Sequence, residues 1–410
     1  MSAVSKLTPV DILKQYWGYD AFRGIQEQVI DSVLSGKDTV AFAATGDGKT
    51  VMFQVPAMLL PGTTLVVSPL KALQKDQVDR CESLGIPVAA LNSDVGVRAR
   101  KKILSQLADK TLKILYVAPE TLFSESFKPF QDLLDVRLIA IDESHVCSAW
   151  SDFRPEYRRV HEIREVFPDA RMLAVTATAD EEIKKDIIKY MGIRPNYNLF
   201  VTSFDRPNIH YNIIRATLPT SEHIVQILSK YDESTPGIIY CSSREKTEKL
   251  AQFLNMIGYS AISYHAGMKK KEKEKAQDDY LKGNVNIVCA TIAFGMGIDK
   301  ANVRWVIHAD PPNSFDDLVQ QWGRASRDGQ HADAYLIYDP KTLNSALWLI
   351  GRTTSNPERV HIKVTKLRNF HAFCRSTVCR RKQILAYFGE TYGKANCESC
   401  DICLGKSSKK

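Results

Sequence analysis

Short runs of β-branched and aliphatic residues recur along this chain, with longer amphipathic stretches between them. They are DTVAFAA (38–44), TLVVSP (64–69), KILYVAP (113–119), RLIAIDE (137–143), MLAVTAT (172–178), GIIYCSS (237–243), VNIVCAT (285–291), VRWVIHAD (303–310) and AYLIYD (334–339). Strand-length runs alternating with helical patterns predict parallel α/β architecture. The pattern breaks once, at VTSFDRPNIHYN (201–212), where turn residues separate two series of strands. The chain is therefore expected to form two α/β lobes parting between Phe204 and Asn208, and two lobes imply one cleft. Past Pro340 the text turns helical (LNSALWLIG, PERVHIKVTKLRNFHAFCRS, CRRKQILAYFGE) and ends in cysteines. The expected domains are 1–205, 206–340, a small helical module at 341–405 and a basic disordered tail at 406–410. The lysine-rich stretch 269–283 reads as a solvated helix face.

With 410 residues, 44% of them hydrophobic and 25% charged, the chain can bury two or three cores. A net charge of +8 suits a polyanionic partner and equally suits proteins that bind none. The N-terminus has no basic, then apolar, leader pattern, and no apolar run is long enough to span a bilayer. An intracellular, soluble protein with no membrane partner is expected: nuclear if eukaryotic, cytoplasmic or nucleoid-bound if bacterial. Nine cysteines, five of them scattered (Cys81, Cys147, Cys241, Cys289, Cys374), argue against a secreted disulfide scaffold.

Three strings carry chemistry. AATGDGKT (43–50) follows a hydrophobic run and precedes VMFQVPAMLL, the strand, loop and helix order of a phosphate-binding loop. There Thr45, Gly46, Asp47 and Gly48 would wrap phosphates with backbone amides, Lys49 would pair with the outer ones, and Thr50 would hold Mg²⁺. A plain glycine turn is the alternative, and Ala43 stands where the strict motif has its first glycine. IAIDESH delivers Asp142 and Glu143 to a strand's carboxyl end, where open α/β sheets bind ligands. Asp142 would hold Mg²⁺ and Glu143 orient a water, unless the pair is only an acidic helix start. QQWGRASRDG supplies Gln320, Arg324 and Arg327, the two arginines read as one helical turn apart on one face and able to meet a γ-phosphate, or else as a surface salt-bridge helix. Together the strings indicate a nucleotide-driven two-lobe motor.

At this point the chain resembles the RecQ family of superfamily 2 DNA helicases, over nearly its whole length. AATGDGKT is similar to helicase motif I, SPLKALQKDQ to Ia, YVAPETL to Ib, DESH to II and TAT (176–178) to III. YHAGM and ATIAFGMGIDKANVRWVIH resemble motifs IV to V, and QWGRASRDG motif VI. The resemblance implies two RecA-like lobes plus a helical zinc-binding domain, ATP and Mg²⁺ as cofactors, and DNA as partner, both single-stranded and forked or junction duplex. It carries Tyr19 and Arg23 over as the faces of an adenine sandwich and Gln26 as its hydrogen-bonding reader; Tyr19 could equally be a core aromatic. It also implies that Cys379, Cys397, Cys400 and Cys403 bind Zn²⁺, a spacing that by itself points to a four-thiolate site, with Cys374 left over as a buried thiol or a surrogate ligand. HVCSAWSDFRPEY (145–157) resembles the aromatic-rich loop of the family, giving Trp150 and Phe153 for base stacking and Arg154 for phosphate, against the alternative of an apolar plug.

Several positions depart from the family pattern. The aromatic loop is a residue short and has Ala149 before its tryptophan, Gln321 stands where an acid is usual, Ser326 where glycine is usual, and Ser144 where alanine is usual. With seven residues after Cys403, no winged-helix domain is expected within the sequence. The implied activity is a DNA-stimulated ATPase and 3′ to 5′ helicase. The alternatives are an RNA-directed relative and a weakly coupled clamp or annealing factor using ATP as a switch.

Overall fold

The computed structural model describes residues 7–44, 46–149, 155–177, 181–295, 300–312, 314–354 and 356–405. Thr45, Trp150, Phe153, Arg154 and the tail 406–410, all singled out from the sequence, lie outside the described residues. The chain divides into two compact units, Met1–Ser203 and Phe204–Lys410.

The first unit holds a seven-stranded sheet of β1 (Thr39–Phe42), β2 (Thr63–Val67), β3 (Val88–Leu91), β4 (Ile114–Val117), β5 (Val136–Ile141), β6 (Arg171–Thr176) and β7 (Asn198–Val201). Its spatial order is β3-β4-β2-β5-β6-β1-β7. Every pair is parallel. The inner strands β1, β2 and β4 are buried at every position, because helices cover both faces of the sheet. Ala41, Met52, Phe53, Val66, Tyr116 and Leu173 meet in the core beneath it. The leading helix, Pro9–Trp17, is specified locally. Thr8 and Asp11 form a capping box, proline opens the first turn, and Gly18 closes the helix in the left-handed region at φ 73°.

The second unit holds a six-stranded sheet of β8 (Ile209–Arg215), β9 (Gly237–Tyr240), β10 (Ala261–Tyr264), β11 (Ile287–Ala290), β12 (Trp305–His308) and β13 (Ala332–Tyr338). Its order is β10-β11-β9-β12-β13-β8, again parallel throughout. Close packing is visible at Gly237, where any Cβ would sit 2.1 Å from the Trp305 ring. Helices Thr342–Thr353, Pro357–Arg375 and Arg380–Tyr387 follow. The stretch 204–208, read from sequence as punctuation, is bonded into this unit. Arg206 donates to the carbonyls of Gly323, Ala325 and Ser326 at 3.2, 3.0 and 2.9 Å, and Asp205 pairs with Arg381. No helix among the described residues is long and apolar enough to cross a membrane.

Candidate active site and metal centre

In the first unit β1, β5 and β6 end on the same edge of the sheet, and each releases one of the sequence motifs. After β1, Gly46 and Gly48 take φ 101° and 67°, which lets the chain curl ahead of helix Val51–Leu59. Among the described residues the amides of Gly48, Lys49 and Thr50 reach no acceptor within the protein, the arrangement of a loop built to receive an anion. Thr50 sits at the helix N-cap without using its hydroxyl to cap, and Lys49 Nζ donates to the Ala43 carbonyl at 3.4 Å. Asp47 is half-buried; its amide donates to Ala44 O and its carbonyl accepts from Gln26.

Gln26 is buried, and its amide is committed to the loop. Nε2 donates to Asp47 O at 2.8 Å and Gly48 O at 3.2 Å, and Oε1 accepts from the Arg23 amide at 2.9 Å. A Cβ at Gly48 would lie 2.6 Å from that Nε2, so glycine is required for the clasp as well as for the turn. The Arg23 guanidinium lies 5.1 Å from the centroid of the half-exposed Tyr19 ring, a cation–π pair beside the loop.

After β5, Asp142 is buried and accepts the Glu143 amide at 2.9 Å. Burial foremost, and then the adjoining Glu143 carboxylate, raise Asp142 well above the ordinary carboxylate range, with Lys49 opposing them. Glu143 occupies the left-handed region at φ 48°, where a side chain with a Cβ is strained. Its Oε2 is buried without a hydrogen bond among the described residues, 3.4 Å from His145 Nδ1. His145 Nδ1 in turn lies 2.7 Å from Thr176 Oγ1 at the end of β6, so motifs II and III share a hydrogen bond. A buried Asp142 and a half-buried, strained Glu143 beside a lysine and a row of open amides fit a phosphate chain with its divalent cation.

The arginines of the second unit correct the sequence reading. Helix Phe315–Trp322 ends before them, so Arg324 and Arg327 lie in the turn beyond it instead of one helical turn apart on a face. Ser326 between them stands at φ 50°, and such a residue cannot continue a helix. Arg324 is buried, with Nη1 donating to Gly295 O; Arg327 and Gln320 are half-buried. Sequence reasoning missed the grip on this turn. Besides Arg206, Asn208 Nδ2 donates to Ser326 Oγ at 2.7 Å and Gln330 O at 3.1 Å.

The four cysteines converge. The sulfurs of Cys379, Cys397, Cys400 and Cys403 all lie within 4.8 Å of one another. Burial alone would raise the Cys397 thiol, but the Ser399 amide and the neighbouring thiols outweigh it and bring Cys397 down to about 7. Tetrahedral Zn²⁺ places thiolates about 3.8 Å apart, so the set fits that ion with small χ rotations. Cys374 is buried outside the cluster. The knot is tied to the sheet: Tyr211 of β8 bridges Cys400, and Arg380 pairs in fork geometry with Asp401 at 2.9 and 3.0 Å.

Two parallel-sheet RecA-like units, the first ending in a glycine cradle and an acid pair and the second carrying a four-cysteine knot, have the architecture of a helicase core. Comparisons with known proteins narrow the class. The DEAD/DEAH box helicase family matches residues 23–186, the helicase conserved C-terminal domain 220–329, and the RecQ zinc-binding family 341–404. The ATP-dependent DNA helicase RecQ of Haemophilus influenzae is 41% identical over 407 residues, 99% of this chain and 65% of that protein. A putative ATP-dependent RNA helicase R290 of Acanthamoeba polyphaga mimivirus is 35% identical, over 96% of this chain and 71% of that one. The chain belongs to the RecQ family, and spans 65% and 62% of the two bacterial RecQ helicases it matches at 41% identity. In fold alone it resembles the Mycobacterium smegmatis helicase Lhr solved with ssDNA and AMP-PNP, at TM-score 0.66 and 18% identity, over 94% of this chain and 56% of that one.

Proposed function

We propose that the chain is an ATP-dependent DNA helicase or translocase of RecQ type, coupling single-stranded-DNA-stimulated ATP hydrolysis to duplex unwinding with 3′ to 5′ polarity, in DNA repair or recombination. The observation that carries this reading is the first unit's edge, where open amides, Lys49, the buried Asp142 and the half-buried Glu143 lie together at the carboxyl ends of parallel strands. When bound, ATP supplies the phosphoanhydride whose hydrolysis drives the motor. Gly46, Asp47, Gly48, Lys49 and, in sequence between them and β1, Thr45 would cradle the phosphates. Thr50 and Asp142 would hold Mg²⁺, and Glu143 would position the attacking water.

Tyr19 and Arg23 remain the proposed adenine contacts, and Gln26 is given a double duty, since its amide must leave or share the Asp47 carbonyl to read a base. Gln320, Arg324 and Arg327 are proposed to meet transition-state charge, Arg327 being the arginine outside the buried interior. Zn²⁺ is assigned to the four cysteines, and Trp150, Phe153 and Arg154 to single-stranded DNA. Forked or junction duplex is the proposed substrate, and an intracellular setting follows from it. The two bacterial relatives at 41% identity are named DNA helicases, which supports DNA, whereas the mimivirus relative is named an RNA helicase, and no observation favours the clamp reading.

The test compares ATP turnover with and without single-stranded DNA, or RNA, alongside unwinding of a forked duplex. Stimulation by DNA and release of the strand are expected. Glu143→Gln should retain ATP binding and lose turnover by about a thousandfold, because the cation's ligands remain while the water loses its carboxylate. Turnover unaltered by that change would remove Glu143 from the chemistry.

A further inference from the structure

Outside the cysteine knot, a second group of metal-type donors gathers where β8 pairs with β13. His210 of β8 and Asp333 of β13 are direct register partners in the parallel sheet, and His331 lies immediately before β13, two residues ahead of Asp333. One donor atom from each of the three falls within 4.8 Å of the others. His331 Nε2 is 3.4 Å from Asp333 Oδ2, His210 Nδ1 is 3.9 Å from Asp333 Oδ1, and the two imidazole rings meet edge to face with centroids 4.2 Å apart.

We propose that His210, His331 and Asp333 form a second metal site, for a borderline divalent cation such as Zn²⁺ or Ni²⁺, separate from the four-cysteine centre. Two imidazoles and one carboxylate make a donor set that prefers such ions over the hard cations Mg²⁺ and Ca²⁺, which take oxygen ligands. Three protein donors leave the remaining coordination positions to water. The set is supported from behind, as metal ligands generally are: Tyr231 Oη donates to Asp333 Oδ2 at 2.6 Å and fixes that carboxylate's orientation. Ligand atoms around tetrahedral zinc lie about 3.3 Å apart, so the cluster needs to contract slightly. The His331 side chain, 57% exposed, can supply that rotation.

The site's position gives it a consequence. Asn208, two residues before His210, donates to the carbonyl of Gln330, the residue before His331, and to Ser326 Oγ. A cation held by His210, His331 and Asp333 would therefore clamp β8 to β13 at the root of the turn that carries Arg324 and Arg327.

The test uses the full chain purified with its cysteine-bound zinc, titrated with Zn²⁺ by calorimetry in a non-chelating buffer at neutral pH. One further saturable site is expected, with affinity in the micromolar range. His331→Ala and His210→Gln should each weaken it by about 10-fold or more. Metal analysis should still find the cysteine-bound zinc in both variants, and their unfolding transitions in chelator should match that of the parent. His161→Ala, an exposed histidine of the first unit, should leave the titration unchanged. The absence of a second saturable site, or a site that survives both substitutions, overturns the proposal.

Discussion

Two of the residues that break the family's pattern, Ser144 and Ser326, make opposite kinds of prediction. Ser144 is fully buried and its hydroxyl has no hydrogen-bond partner among the described residues. An orphaned hydroxyl costs roughly 1 to 3 kcal/mol, so Ser144→Ala, the usual family residue, should raise the first unit's stability by about 1 kcal/mol in chemical denaturation. A fall would mean that the hydroxyl has an acceptor. Ser326 is the reverse case. Its φ of 50° explains why glycine is usual there, yet its hydroxyl receives Asn208 Nδ2 and donates to Gln330 O. Ser326→Ala keeps the strain and loses the bonds, whereas Ser326→Gly loses both. The alanine variant should therefore be the less stable of the two, by about 1 to 2 kcal/mol, the cost of a left-handed residue with a Cβ. Equal stabilities would show that the turn relaxes out of that conformation.

Elements were legible in the sequence to the degree that their environment is one-sided or two-sided. The apolar runs correspond to β1, β2, β4, β5, β6, β9, β11, β12 and β13, which lie inside their sheets. The strands without such a run, β3, β7, β8 and β10, are the four sheet edges. Of these, β7 and β8 alternate in burial along their length, so Asn198–Val201 and Ile209–Arg215 merged with the turn residues between them. The cradle, the acid pair and the cysteine spacing were legible because each is contiguous. The Gln26 clasp, the grip of Arg206 and Asn208, and the end of helix Phe315–Trp322 before its arginines depend on contacts that no local pattern records. That helix also explains Gln321. The buried His308 shares a hydrogen bond with Gln321 Oε1 at 2.7 Å, and burial holds His308 down at about 4. Below its unfolded value near 6.5 the unfolded chain takes up a proton that the folded one refuses. Stability is therefore present above that pH and lost as pH falls toward 4, by about 3 kcal/mol at most. Gln321→Glu should raise the His308 pKa and shrink this acid loss, measured as denaturation midpoint against pH. An unchanged acid limb would place its origin elsewhere.

At the scale of the whole chain, the two units have separate cores, and the cysteine knot is built into only one of them. Tyr211 of the sheet edge bridges Cys400, Arg381 binds Asp205, Ser399 Oγ and the Ile209 carbonyl, and Phe204 stacks on Phe388 with centroids 4.4 Å apart. Structural Zn²⁺ contributes on the order of 10 kcal/mol to small folds that depend on it. Cys400→Ser, or chelation, should thus loosen the second sheet's edge along with the C-terminal helices. Trp305 and Trp322 report on this, being fully buried in the second unit, with Trp322 stacked on Tyr211 at 5.2 Å. Their fluorescence should shift to the red at lower denaturant in the zinc-free protein. The first unit's cradle contains none of these groups, so ATP should still bind and should still raise the first unit's transition by mass action. DNA-stimulated turnover, which in the proposed mechanism needs both units, should be lost in the same sample. Loss of ATP binding in step with the tryptophan signal would show instead that the two units unfold as one, and full activity without zinc would remove the metal from the fold.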